Sequence, residues 1–544
     1  MRKYRIARIS SQIFFFVLFI YFVFTTQYSY NPEKETVSGW LKFFFDINPL
    51  NILGTSIAGG VIYATLVLGF IILITTIFFG RYFCGWVCPL GSLNHFFSSF
   101  KSERKEHRAK ALMQSNIYKP YQSLKYYLLV IFAGMAIWGS LQTGVFDPIS
   151  LLGRSIAMVV LPSFTWLIKA IFSWLWGSDF ILFSYTGEKL FQVANSLFLP
   201  ARQPVFNGIF WLALIFLIII IANRIFTRFW CRAICPLGAL LGFLASFSIF
   251  GLKKNEEACD SCNKCLLRCQ GGDNPHKDAP HHRSECHLCL NCLVDCPHDA
   301  ISFGFGESRK RYKPKPQISR RKVIFAGLAG LLAVPALRSG INSYKTKPNL
   351  IRPPGSLKEE DFLSRCIRCG QCMKICPTNA IQPTLLEAGW EGIFSPYLVP
   401  VIGYCEYNCV LCGQACPTGA IEALTITKKH GDKINKPISI GTAFVDRNRC
   451  LPWAFDTECL VCEEWCPTSP KAIKLLEQQT VTADGRTITI KRPQVDPVQC
   501  IGCGACEYAC PVEGSKAIRV SAVGESRNPD NEMILHRPQK KVES

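Results

Sequence analysis

Twenty-eight cysteines in 544 residues set the chemistry open to this chain. Most fall in runs with two or three residues between neighbours. That is too close for ordinary loop-closing disulfides, but suited to thiolates that wrap one metal group. Two runs come first, Cys259, Cys262, Cys265, Cys269 and Cys286, Cys289, Cys292, Cys296-Pro297. Both have the spacing Cys-x₂-Cys-x₂-Cys-x₃-Cys, in which three thiolates hold one face of a [4Fe–4S] cube and the fourth crosses to a second cube. One cluster is therefore expected on Cys259, Cys262, Cys265 and Cys296, and the other on Cys286, Cys289, Cys292 and Cys269. Zinc sites use Cys or Cys/His pairs rather than four-cysteine runs. The insert at 270–283, rich in His, Gly and Asp, reads as a solvated loop.

Four more runs follow: Cys366, Cys369, Cys372, Cys376; Cys405, Cys409, Cys412, Cys416; Cys450, Cys459, Cys462, Cys466; and Cys500, Cys503, Cys506, Cys510. Each ends in Cys-Pro. Together with the first two runs, 24 cysteines predict six [4Fe–4S] clusters. The outer runs of this second set are regular and the inner two irregular, which suggests nesting, first with fourth and second with third; sequential pairing is the alternative. Cys405-x₃-Cys409-x₂-Cys412 also matches a radical-SAM triad, but the run continues into x₃-Cys-Pro and too few residues follow it for a barrel. The chain contains no Walker loop, dinucleotide glycine fingerprint, nucleophile triad or paired carboxylates.

The last four cysteines form an internal repeat. Arg81-Tyr82-Phe83-Cys84-Gly85-Trp86-Val87-Cys88-Pro89-Leu90-Gly91 matches Arg228-Phe229-Trp230-Cys231-Arg232-Ala233-Ile234-Cys235-Pro236-Leu237-Gly238. Each element ends an apolar segment at the same membrane edge, so the four thiolates could converge on a further redox centre. A thiol pair reacting with quinone and inert helix-end cysteines are the alternatives. No apolar segment contains a histidine, which excludes a bis-His membrane haem, and the absence of Cys-x-x-Cys-His excludes c-type haem.

The elements that must position these residues divide into membrane and cluster-binding parts. Hydrophobic residues make up 49% of the chain and mean hydropathy is +0.19. Four stretches are apolar over about the 20 residues a bilayer requires: Gln12–Ser29, Ser56–Phe79, Tyr126–Val145 and Phe206–Ile225. The first reads as an anchor rather than a cleaved signal. The net charge of +21 is concentrated before residue 340, at Arg2, Lys3, Arg5 and Arg8, at 101–125, and at Arg224, Arg228 and Arg232. The positive-inside rule makes those flanks cytoplasmic. No basic face with interleaved aromatics lies elsewhere, so nucleic acid is not an expected partner. Ser155–Trp176 reads as an interfacial or re-entrant helix, because one further crossing would set the two repeats on opposite sides. Finally, Ser319-Arg320-Arg321-Lys322 before the small-apolar run Val323–Leu337 has the form of a twin-arginine export signal. It would serve as a fifth, short membrane helix.

The expected architecture is an α-helical membrane bundle, four transmembrane helices plus a fifth, with two α+β ferredoxin-like [4Fe–4S] modules. Its parts are residues 1–251 (membrane), 252–314 (two clusters, cytoplasmic), 315–340 (signal or anchor helix) and 341–544 (four clusters, periplasmic). In these motifs residues 1 to about 310 resemble NapH, the membrane ferredoxin of periplasmic nitrate reduction. Residues from about 317 resemble NapG, an exported four-cluster ferredoxin of the MauM/NapG type. The fusion of the two departs from the family, in which they are separate proteins, and Val323-Ile324 replaces the usual Phe-Leu after the arginines. The resemblance implies a quinol dehydrogenase of the inner membrane. It would take electrons from menaquinol or ubiquinol and deliver them to a periplasmic reductase or its cytochrome or ferredoxin partners. A membrane polyferredoxin for assembly, maturation or regulation of an oxidase or reductase is the alternative. No flavin-attachment sequence is present.

Overall fold

The apolar runs of the first half fold as helices and the cysteine runs as short turns between paired strands. The computed structural model describes residues 2–26, 39–61, 67–99, 106–176, 188–189, 191–192, 203–273, 275, 282–305, 318–338, 349–432, 436–481, 485 and 487–531. They form two compact units. One holds most of residues 1–342 with Leu363–Gln371, and the other Ser343–Phe362 with Cys372–Ser544. The helical part and the two-cluster module expected as separate domains thus share one unit.

The helices of the first unit used below are α1 (Arg2–Thr25), α2 (Pro49–Gly59), α3 (Leu68–Phe79), α4 (Pro89–Ser99) and α5 (Leu124–Ile137). Next is α6, running from Pro148–Ser155 through a π-turn at Ile156–Val160 into Leu161–Trp176. They are followed by α7 (Ile209–Ile225), α8 (Pro236–Ala245) and α9 (Arg320–Arg338). Proline at the first turn starts several of them, where its missing N–H costs no hydrogen bond. The caps of α2 and α6 are joined: Asn48 accepts from Leu50 N, Asp147 accepts from Ser150 N, and Asn48 Nδ2 donates to Asp147 Oδ1 at 2.7 Å.

Two expectations about the apolar segments are corrected. Among the described residues only Lys3–Thr25 and Pro148–Trp174 form helices long and apolar enough to cross a membrane, judged by length and composition. Leu68–Phe79 and Ile209–Ile225 are shorter apolar helices. Ser56–Phe79 is not one span: α2 ends at Gly60, whose φ of +62° breaks the helix, and α3 begins only at Leu68. Tyr126–Val145 ends as a helix at Ile137, followed by Gly139 with φ +75°. Ser155–Trp176 forms most of a continuous helix, of which Pro148–Trp174, 27 residues, is long and apolar enough to cross a membrane. The π-turn absorbs an extra residue without interrupting it.

The twin-arginine segment folds as α9, with Arg320 and Arg321 exposed at its start. Small residues let it approach α5 closely, as in membrane helix pairs. A Cβ on Gly134 would meet the backbone of Gly330 at 3.1 Å. Val334 is fully buried against Phe132 and Met135. Contacts advance together along both helices: Ser319 N donates to Tyr127 Oη, Gly327 faces Val130, and Gly330 faces Ile131 and Gly134. The two helices therefore run in the same direction.

Each pair of cysteine runs is closed by the chain before it meeting the chain after it. In the first unit β1 (Phe250–Lys254) pairs antiparallel with β2 (Ile301–Phe305) around Cys259 to Cys296. In the second unit Ser356 bridges Ile421. There too β3 (Ile381–Pro383) pairs with β4 (Pro396–Leu398), and β5 (Thr442–Val445) pairs with the last strand, β8 (Ile518–Ser521), around Cys450 to Cys510. A long hairpin, β6 (Ile473–Val481) with β7 (Thr487–Val495), is inserted inside that last lobe.

Candidate iron–sulfur sites and the thiols beside them

The second cysteine of every regular run lies between two left-handed residues, which turn the chain about a point. Ser261 and Asn263 flank Cys262, Leu288 and Leu290 flank Cys289, Arg368 and Gly370 flank Cys369, and Gly502 and Gly504 flank Cys503, all at positive φ. Non-glycine residues rarely adopt this region, and a concave cradle of backbone is its consequence. Neither irregular run has such a pair. Among the described residues no three His, Cys, Asp or Glu side chains are close enough to hold one metal ion.

The thiols group across runs. Burial raises the Cys292 thiol well above its usual range, and its thiol neighbours are Cys289, Cys269 and Cys265. Cys269 and Cys265, from the run before, both lie beside the Cys286 run. Cys412 is raised by burial and then by Cys405, Cys409 and Cys376. Cys462 is pushed up to about 12 by burial and then by Cys450, Cys459 and Cys510. Cys506, likewise raised by burial, has Cys503, Cys500, Cys462 and Cys466 around it. The thiol neighbours thus follow sequential rather than nested order: Cys376 lies beside the second run, Cys510 beside the third and Cys466 beside the fourth. The lobe closures explain why, since the strands tie sequential runs together. Such clustered buried thiols cannot all ionise without a cation to bind, which iron supplies.

The insert expected to be solvated is packed where it is described. Gln270, Asp273 and His282 are buried, His282 N donates to Asp273 O, and its ring stacks on Tyr118. The Asp273 carboxylate lies 3.1 Å from Cys269 Sγ. In the second unit a lysine stands beside a thiol. The short helix Ile426–His430, capped by Thr425, buries Lys429, whose Nζ donates to Cys405 Sγ at 3.5 Å and to the carbonyls of Glu406 and Cys409. Neither residue carries a sequence signal for its role.

The four repeat cysteines are all buried and do converge. Cys88 lies within electrostatic reach of Cys84 and Cys231, and Cys235 within reach of the other three. Each sulfur has an N–H donor: Arg81 Nε to Cys84 at 3.3 Å, Asn94 Nδ2 to Cys231 at 3.3 Å, Gly238 N to Cys235 at 3.2 Å, and Gly91 N to Cys88. Cys235 is the N-cap of α8. Donors of this kind partly offset the burial that disfavours the thiolates of Cys88 and Cys235. Arg81 and Arg228, at matching positions of the repeat, are both fully buried; Arg81 donates to Cys231 O and Arg228 to Cys84 O, each at 3.0 Å.

The residue after the first cysteine of each half reaches toward one cluster loop. In the first half it is Gly85, where a Cβ would lie 2.3 Å from His287 O, so no side chain fits. Trp86 Nε1 donates to Leu288 O at 2.9 Å. In the second half it is Arg232, which donates to Gln270 O and to Cys269 O. Both halves thus abut the loop of Cys286 and Cys289 and the crossing ligand Cys269. Glu285, beside Cys286, pairs with buried Lys125, accepts from Tyr126 Oη at 2.9 Å and lies 4.0 Å from Arg81.

A cavity of about 860 Å³ opens beside this junction, lined by α1, α4 and the two-cluster module, with Arg8, Gln12, His95 and Gln270 among its polar residues. Burial, and then Arg228, Arg8 and Arg5, push His95 down to about 2, so its ring is neutral.

Three family profiles, each described as a 4Fe-4S binding domain, match the chain. The first matches twice, at 61–107 and 207–255, spanning the two Cys-x₃-Cys-Pro elements; the others match 362–382 and 492–518. The methylamine utilization ferredoxin-type protein MauM of Methylorubrum extorquens is 37% identical over 231 residues, covering 40% of this chain and 97% of that protein. The ferredoxin-type protein NapG of Escherichia coli is 32% identical over 212 residues, 38% of this chain and 87% of its own length. The ferredoxin-type protein NapF of the same organism is 31% identical over 192 residues, 34% of this chain and 96% of its own. No solved structure matches. Cysteine cradles and matches together define an iron–sulfur electron-transfer protein of the ferredoxin type. Through its C-terminal part the chain belongs to the MauM/NapG family of ferredoxin-type proteins.

Proposed function

We propose that this chain is a membrane-bound quinol dehydrogenase that passes electrons from menaquinol or ubiquinol through iron–sulfur centres to a periplasmic reductase system, on the pattern of nitrate reduction. The observation that carries the reading is the packing of the four Cys-x₃-Cys-Pro thiols against the loop of Cys286 and Cys289, which makes a continuous path of sites. Six [4Fe–4S] clusters sit on the 24 ferredoxin cysteines, and Cys416 completes the first run of the last module by reciprocity with Cys376. A seventh centre sits on Cys84, Cys88, Cys231 and Cys235. Bound clusters supply one-electron storage and transfer, with potentials set by charge and hydrogen bonds around the sulfurs. The protein's own residues hold the thiolates, donate N–H groups to them and exclude water.

The bundle crosses the inner membrane with the two-cluster module cytoplasmic. The direction of α9 supports export of residues 341–544. It runs parallel to α5, whose first turn is tied to the two-cluster module through Lys125, Tyr126 and Glu285. The chain leaves α9 at the opposite end. The arginine pair at its start suits the twin-arginine route, and α9 then remains as a further membrane helix that tethers the four-cluster module.

Purified protein in lipid nanodiscs tests the reading: menadiol, a short quinol, is expected to reduce a substantial fraction of the clusters within seconds, read by electron paramagnetic resonance. Reduction by dithionite but by no quinol would remove the dehydrogenase reading and leave the assembly or maturation role. Iron analysis separates seven centres, about 28 iron atoms per chain, from six, about 24. Protection of residues 341–544 from protease in intact spheroplasts would refute their export.

A further inference from the structure

The cavity beside the junction has an apolar mouth and a polar end. Ile13 on α1 and Phe96 on α4 line it and are more than half exposed, as suits side chains that face lipid. At the inner end Arg8 is only 1% exposed, yet its Nε and Nη1 have no hydrogen-bond partner. Gln270 Oε1 and Asn291 Oδ1, on the two-cluster module, are buried and unpartnered as well. Leaving a buried polar group unsatisfied costs about 1–3 kcal/mol, more for a charged one. A wall with several such groups is built for a polar ligand. Gln12, on the same wall, donates to Gly85 O at 2.6 Å, so the cavity adjoins the Cys84 element. On the other side it adjoins iron ligands, for Gln270 follows Cys269 and Arg8 lies within electrostatic reach of Cys289.

A volume of about 860 Å³ lies in the range of small-molecule and cofactor sites. A ligand for it needs an apolar tail for the mouth, oxygen acceptors for Arg8 and hydroxyls for the Gln270 and Asn291 oxygens. We propose that this cavity is the quinol site, with the ring between Arg8 and His95 at the Gln270 end and the prenyl tail leaving past Ile13 and Phe96. The inference rests on the quinol dehydrogenase reading above and deepens it by giving the substrate a place. Oxidation there breaks the two O–H bonds of the quinol. Two protons pass to water and two electrons pass one at a time to the iron–sulfur acceptor. Neutral His95 and cationic Arg8 position the oxygens. An anionic phospholipid headgroup would also satisfy the arginines, but it makes no use of the adjoining iron ligands.

The test uses the full chain in nanodiscs and an azido-substituted menaquinone analogue. Illumination is expected to label peptides of α1 and α4, and excess menadione to prevent the labelling. Arg8→Gln, and separately the cavity-filling Leu93→Trp, should each weaken analogue binding at least tenfold and raise the KM for menadiol, with the dithionite-reduced cluster spectrum unchanged. That spectrum guards against misfolding, and two unlike variants guard against a local artefact. Labelling confined to other helices, with menadiol oxidation intact in both variants, would overturn the location and leave the dehydrogenase reading standing. Failure of the unaltered protein to bind analogue or oxidise menadiol would overturn both. Loss of copurified phosphatidylglycerol from the variants, with analogue binding unchanged, would assign the cavity to lipid and overturn the proposal.

Discussion

The Cys286 site and the Cys405 site are equivalent positions in their lobes, yet they are built with opposite charge. Each is the second run of its pair and has a thiol of the run before beside it, Cys269 in one and Cys376 in the other. At the first a carboxylate, Asp273, faces the crossing sulfur; at the second a buried ammonium, Lys429, faces the first sulfur of the run. Negative charge beside a cluster disfavours taking up an electron and positive charge favours it. The same cysteine scaffold is thus biased to lower potential in the two-cluster module and to higher potential in the four-cluster module. Their surroundings differ too. The residue before Cys286 is Glu285, clamped by Lys125 and Tyr126, whereas the residue before Cys405 is Tyr404, packed against Trp465 and Tyr508.

Removing the crossing thiol has the largest expected effect on this equivalence. Cys269→Ala and Cys376→Ala should each abolish one cluster, a loss of about four iron atoms, and the missing spectrum should be that of the Cys286 or the Cys405 site respectively. If Cys376→Ala instead removed the spectrum of the Cys500 site, the lobes would be nested after all. Next is Glu285→Gln, which leaves Lys125 and part of Arg81 buried without their counter-charge. Breaking such a buried group costs about 3–5 kcal/mol. Denaturant unfolding should show that loss in the first unit, whereas Tyr404→Phe should change stability of the second by less than about 1 kcal/mol. Equal small effects would mean that Glu285 is not a clamp.

The charge difference itself is tested by redox titration. Lys429→Gln should lower the potential of the Cys405 centre and Asp273→Asn should raise that of the Cys286 centre. Each shift should be on the order of 60 mV, a tenfold change in a one-electron equilibrium. Shifts of the same sign in both variants would refute the opposed bias.

The cysteine runs were legible in the sequence because ligand spacing is a local property. Cluster pairing was not. Regular and irregular spacings suggested nesting, whereas the thiols group in sequential lobes closed by strands such as Thr442–Val445 with Ile518–Ser521, whose partners lie far apart in sequence. Tuning groups were equally hidden: Lys429 reads as one of several lysines near a turn, and Asp273 as part of a polar loop. Hydropathy found the apolar segments but not their ends, because Gly60 and Gly139 stop helices through positive φ inside stretches that remain apolar. The repeat was visible as Cys-x₃-Cys-Pro, but the difference between its Gly85 and Arg232 gained meaning only from the His287 and Cys269 carbonyls that each meets.

The smallest expected effect separates regular from irregular cradles at one matched position. Leu290 and Leu460 each follow the second cysteine of a run. Leu290 has φ +56° and Leu460 φ −113°. A β-branched side chain is badly placed at left-handed φ, at a cost of about 1–2 kcal/mol, but well tolerated in the other conformation. Leu290→Val should therefore lower the thermal stability of the first unit by about that amount and speed cluster loss to a chelator. Leu460→Val should change either by no more than a few tenths of a kcal/mol. Equal losses would mean that backbone conformation does not distinguish the cradles and that spacing alone makes the irregular runs different.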